Sequence, residues 1–281
     1  MELRVLDVAL AGAGAAGYLA VYVLPLHLVP GPRDSPRVLR FRLGATAVSS
    51  TLLTFLPPFL ALYRLNGQAP SARELAAQLG LIGPLSSALV GLSVTAVLFA
   101  GPLAYEAQEA ADRARNGLRP WVRMRTTLQV LRDCVVAPVT EELVFRASLP
   151  AFLRAACPPL GAAAAAGAAL LVFAGAHCHH VFERLRHGGH SLRTALGATA
   201  FQALYTGVFG AYGSLLLHST RSVAAPIAAH VLCNAQGVPP FASMRRHRRA
   251  ALLMTVTGLG AAAWLGLVAR QASVATSHGG V

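Results

Sequence analysis

Residues 6–29 read LDVALAGAGAAGYLAVYVLPLHLV. A helix needs about 20 mostly apolar residues to cross a hydrocarbon layer about 30 Å thick, and this run exceeds that length with Asp7 as its only carboxylate. It is too long for the apolar core of a signal peptide, has no convincing small-residue cleavage site and is followed by more runs of the same kind. It therefore reads as a retained membrane helix. Further spans are expected at 43–63, 81–104, 159–182, 195–217 and 250–268. Two segments are less regular. Residues 121–153 carry several charges and are interrupted at Ala137-Pro138-Val139-Thr140, where Pro138 removes a backbone donor and Thr140 can cap a new helix. Residues 222–239 are apolar but short. The expected fold is an all-α polytopic membrane protein of about eight hydrophobic helices enclosing an intramembrane cavity open to the cytosol.

Composition points the same way. Of 281 residues only 12% are charged and 55% are hydrophobic, and the mean hydropathy is +0.54. A soluble domain carries about a quarter charged residues, so its surface could not be covered from this supply. Disordered, collagen-like and disulfide-scaffold classes are excluded with it. The four cysteines, Cys134, Cys157, Cys178 and Cys233, form no CxxC pair and read as small buried thiols.

The charge is lopsided, with 24 basic residues, all Arg, against 11 acidic ones and a formal net charge of +13. Such an excess on a soluble chain would suggest nucleic acid. Here the arginines sit in clusters between apolar runs, at 33–42, 113–125, 184–193 and 245–249, where they fix topology and meet anionic lipid. No nucleic-acid partner is expected. Placing those clusters in the cytosol leaves only scattered arginines (Arg4, Arg64, Arg73, Arg154, Arg221, Arg270) on the other side and both termini non-cytosolic.

Ionisable groups inside a bilayer cost at least about 2.5 kcal/mol each and mark candidate sites. Three short motifs supply them: Glu141, Glu142 and Arg146 as EExxxR, Phe173 and His177 as FxxxH, and His230 and Asn234 as HxxxN. Glu142 and Arg146, four apart, share a helix face and suit an ion pair, whereas Glu141 points about 100° away and lacks that partner. The three motifs fall at similar depth toward the Arg-rich side, on three separate helices. Structural polar groups scattered at random would match this only by chance.

In this order and on separate membrane segments, EExxxR, FxxxH and HxxxN resemble the type II CAAX prenyl endopeptidases, the Ras-converting proteases. The likeness runs from about Arg132 to Pro240 and extends to strings similar to the eukaryotic branch: APVTEELVFRA (137–147), HCHHVFERLR (177–186) and FQALYTGVFGAY (201–212). The first 120 residues match in hydropathy only.

The resemblance implies an endopeptidase that removes the last three residues of a prenylated CAAX protein, Ras-like GTPases among them, in the endoplasmic reticulum membrane. It implies that Glu141 and His177 hold and deprotonate a water, that His230 and Asn234 donate to the oxyanion, and that Glu142, Arg146 and Phe173 support the site. The lipid bilayer is the other expected partner. Residues 1–120 would be N-terminal membrane helices, 121–240 the catalytic core and 241–281 a C-terminal helix and tail, together one structural unit. Two alternatives stand beside this reading. One is a non-proteolytic scaffold or transporter of the same fold, although the chain shows no clear inverted repeat. The other is a zinc protease with Glu141, His177 and His230 as ligands and Glu142 as base. Against zinc, Glu142 is spaced to be neutralised by Arg146, no HExxH spacing occurs, and Asn234 is a poor metal ligand. No cofactor and no metal are expected.

Overall fold

The computed structural model describes residues 5–118 and 126–278, and every element among them is helical. In chain order these are α1 (Val5–Val23), which tightens into a 3₁₀ turn at Leu24–His27, α2 (Pro36–Asn66), α3 (Ala72–Gln78), α4 (Ser87–Leu98) and α5 (Ala100–Arg115). Next come α6 (Thr127–Leu131), α7 (Ala137–Glu141) and α8 (Leu149–Ala156), joined by π-helical turns at Arg132–Val136 and Glu142–Ser148. The chain continues through α9 (Ala162–Ala176), a 3₁₀ turn at His177–His179, α10 (His180–His187), α11 (Leu192–Thr220), α12 (Ala224–Gln236), α13 (Phe241–Arg246) and α14 (Ala250–His278).

Five of these stretches are long and apolar enough to cross a membrane: Val5–His27, Pro36–Asn66, Ala162–His187, Leu192–Thr220 and Ala250–Thr276. The pair α4 and α5 makes a sixth if it is one broken span. The chain is thus a multi-pass membrane protein. The two irregular segments, also helical, do not qualify by themselves. Residues 127–156 carry Arg132, Asp133, Glu141, Glu142, Arg146 and Arg154, and α12 has only 13 residues against the roughly 20 required.

Two sequence expectations are corrected. The straight span over 81–104 instead bends by 78° between α4 and α5. Pro102 explains the break, because its ring clashes with the carbonyl four residues back and it offers no N–H to continue the ladder. The break expected at 137–140 does not occur either, since Leu131, Val136, Ala137, Glu141, Glu142 and Leu149 all hold right-handed helical dihedrals and the helix runs through. Thr140 is therefore no N-cap; its Oγ1 donates back to the carbonyl of Val136 at 2.7 Å. Trp121, Arg119, Arg123, Arg125 and Arg4 lie outside the described residues.

Lipid tails are as apolar as Leu, so helices in a membrane associate through close packing and internal hydrogen bonds. Both are visible here. Tyr18, Phe145, Leu149 and Phe173 are fully buried where α1, α8 and α9 meet. Within this cluster Tyr18 Oη bonds Ser148 Oγ (2.7 Å), which donates to the Leu53 carbonyl of α2 (2.6 Å). Arg64 closes the far end of α2 onto Asp7 of α1 at 2.8 Å, which gives the acid of the first apolar run its partner. A second cluster joins α4, α11, α12 and α14 around Val94, Tyr212, Leu216 and Ala225. The cysteines are all unpaired, but against expectation only Cys157 is buried; Cys134 and Cys233 are partly exposed and Cys178 is exposed.

Close packing sets a test. A Cβ on Gly91 of α4 would stand 2.0 Å from the backbone carbonyl oxygen of Ala225 in α12. Gly91→Ala gains about 1 kcal/mol of helix propensity, yet overpacking against a backbone atom costs typically 1–3 kcal/mol, and neither helix can yield cheaply. The variant is expected to melt at a lower temperature than the parent in detergent. An unchanged or raised midpoint would show that α4 and α12 are not held at this separation.

Candidate functional site

The site begins in the backbone. In the π turn Arg132–Val136 the N–H of Ala137 bonds the carbonyl of Arg132, five residues back. The next N–H in that register would serve Asp133, but residue 138 is proline and has none. The side-chain amide of Asn234 supplies the donor instead, with Nδ2 2.8 Å from the Asp133 carbonyl oxygen. Pro138 thereby creates the acceptor that docks α12, and His230 one turn earlier on the same face is carried to the glutamates.

Glu142 is fully buried and Arg146 nearly so, at 0% and 3% exposed. His230 Nδ1 donates to Glu142 Oε1 at 2.7 Å, while Glu142 Oε2 faces Arg146 Nε at 3.4 Å. The Arg146 guanidinium lies over the Phe173 ring, Cζ 3.6 Å from its centroid, a cation–π contact that lowers the cost of burying its charge. Room for the pair comes from Gly210 and Gly213 of α11. A Cβ at Gly213 would sit 3.3 Å from Glu142 Oε2, and one at Gly210 would sit 3.0 Å from Arg146 Nη2. Phe209, beside them, packs its ring 4.6 Å from that of His230.

Glu141 takes no part in that pair. It is half-buried and lines a cavity of about 110 Å³ together with His177, Tyr22, Phe145 and Phe173. His230 Nε2 lies 3.9 Å from Glu141 Oε2. His177 Nδ1 donates to the Phe173 carbonyl at 2.9 Å, since a carbonyl can only accept, so the neutral ring presents a bare Nε2. Tyr22 Oη meets Thr140 Oγ1 at 3.2 Å and braces the turn that carries Glu141.

All seven residues singled out in the sequence thus fall within one region between α1, α7, α9, α11 and α12. Glu141, Glu142, Arg146, Phe173 and His230 are linked by direct contacts, His177 is bonded to Phe173 and faces Glu141 across the shared cavity, and Asn234 is tied in through the Asp133 carbonyl. Tyr22, Phe209, Gly210, Gly213 and the Asp133 carbonyl were not foreseen. Of these only the small-residue spacing Gly207, Gly210, Gly213 was available in the sequence as a signal. Among the described residues no group of three or more His, Cys, Asp or Glu is placed to hold a metal ion.

Comparison with known proteins follows the same residues. The family described as Type II CAAX prenyl endopeptidase Rce1-like matches residues 123–236, which contain all three motifs. The CAAX prenyl protease 2 of Homo sapiens is 34% identical over 242 residues, covering 83% of this chain and 72% of that protein. That of Saccharomyces cerevisiae is 25% identical over 254 residues, covering 82% and 81%. The Arabidopsis thaliana protein of the same name is 39% identical over 115 residues, 41% of this chain and 36% of its own length. No solved structure matches significantly. With identity of this level spread over most of both chains, and with the three motifs gathered in one region of the fold, the chain belongs to the type II CAAX prenyl endopeptidases, Rce1-like, a family of membrane proteases.

Proposed function

We propose that the protein removes the C-terminal tripeptide from prenylated CAAX proteins, small lipid-modified GTPases among them, at the endoplasmic reticulum membrane, with water as the nucleophile. The observation that carries this reading is the division of labour between adjacent glutamates: Glu142 is committed to Arg146 and His230, and Glu141 is left facing the cavity beside His177. In the proposed reaction Glu141, with the bare Nε2 of His177, takes a proton as the water oxygen bonds to the scissile carbonyl carbon. The oxyanion is met by His230 Nε2, which in its protonated form donates, and by the Asn234 amide; one such donor contributes about 2.7–4 kcal/mol to the transition state in comparable sites. Collapse breaks the C–N bond, the proton passes to the leaving amine, and the products are a prenylcysteine carboxylate and a tripeptide.

Val23, Leu26, Leu43 and Val136 line the same cavity as Glu141 and offer the apolar surface a prenyl chain needs. The test is to give purified protein two peptides of one CAAX sequence, prenylated and unprenylated. Cleavage confined to the prenylated peptide is expected; equal cleavage of both would overturn the substrate assignment. The reaction should also survive prolonged treatment with a strong chelator. Loss of activity that stoichiometric zinc restores would make Glu141, His177 and His230 metal ligands instead.

A further inference from the structure

Three guanidinium groups, Arg33, Arg42 and Arg132, line the cavity that holds Glu141 and His177. Two are neutralised. Arg132 binds Asp133 through Nε at 2.6 Å and Asp34 through Nη1 at 2.6 Å, and Arg42 binds Glu183 at 2.5 Å and the Leu26 carbonyl at 2.9 Å. Arg33 forms no ion pair with any described residue, although it stands among these acids. Its backbone is nonetheless held firmly, in a turn closed by the Ser35 N–H on the Pro32 carbonyl at 3.0 Å, with the next residue, Asp34, tied to Arg132. A guanidinium with no direct ion pair, on a backbone held in place at the edge of a cavity that contains a reactive carboxylate, is a receptor for an anion.

The chemistry of the proposed reaction names that anion. A cut three residues from a chain end requires that the end be sensed, and the end carries a carboxylate. Three extended residues span about 10 Å, a length that the rim of one small cavity can measure from the Glu141 side. We propose that Arg33 binds the C-terminal carboxylate of the substrate and so sets the distance between the terminus and the bond that is cut. The inference rests on the protease reading above. The bland alternative, in which Arg33 is only a topology anchor at the membrane surface, predicts no sensitivity to the state of the substrate's terminus.

The experiment compares kcat/KM for a prenylated CAAX peptide as free acid and as C-terminal amide, in the wild type, Arg33→Gln, Arg33→Lys and Arg40→Gln. Hydrogen bonds to charged groups are worth about 1.5–3 kcal/mol, so the wild type should prefer the acid by about 10- to 100-fold. In Arg33→Gln the loss should fall on the acid, bringing the ratio close to unity; Arg33→Lys should retain most of the preference, and Arg40→Gln, an exposed neighbour off the cavity, all of it. Equal wild-type rates on acid and amide, or an unchanged ratio in Arg33→Gln, would overturn the proposal while leaving the protease reading intact. Cleavage of neither peptide by the wild type would overturn both.

Discussion

Glu141→Gln is expected to lower cleavage of a prenylated CAAX peptide by at least 100-fold and up to about 10,000-fold, the range a positioned general base supplies. The amide fills the same volume but takes no proton from water. Because Glu141 is outside the Glu142–Arg146 pair and only half-buried, the variant should insert, fold and melt as the wild type does. Wild-type turnover by Glu141→Gln protein of normal abundance would remove Glu141 from the role of base. Glu142→Gln is the contrast. It withdraws the counter-charge of a buried guanidinium, so its first effect should be on yield and thermal stability.

Arg146→Met is expected to cost about 3–5 kcal/mol, because it strands the carboxylate of Glu142, 0% exposed, with the His230 imidazole as its remaining polar partner. Such a loss is a large part of the 5–15 kcal/mol that holds a typical domain together. The double variant Glu142→Gln with Arg146→Met removes both charges at nearly constant volume and should recover most of that loss. Thermal unfolding of the two single variants and the double one in detergent measures the coupling directly. Strictly additive losses would mean that the two side chains do not act as a pair.

How much of this was readable beforehand differs from residue to residue. The helices were, because hydropathy over about 20 residues is a strong signal in a chain with so few charges. The Glu142–Arg146 pair was, because four residues along a helix bring two side chains together without any knowledge of the fold. Pro138 was misread as a helix break, since nothing in its neighbourhood announces that a π turn would shift the ladder by one residue or that Asn234, 96 positions later, would supply the missing donor. The bend at Phe99 was missed although Pro102 stood in plain sight, because the apolar run around it is long enough to hide a break. The bond between His230 and Glu142 spans 88 residues and could not be inferred from spacing. Arg33 was hidden for a different reason. Between apolar segments every arginine looks like a topology anchor, and only three-dimensional placement shows that this one lines the cavity with no direct ion pair of its own.

The central claim is that this cavity cuts one particular bond with a water activated at Glu141. The most direct measurement is mass spectrometry of the products when purified protein meets a prenylated CAAX peptide, with the Glu141→Gln protein run in parallel. The account predicts a single pair of fragments, the intact C-terminal tripeptide and a peptide ending in prenylcysteine, formed by the wild type and absent from the variant. Cleavage at any other bond, or the same tripeptide released at equal rate by both proteins, would contradict it.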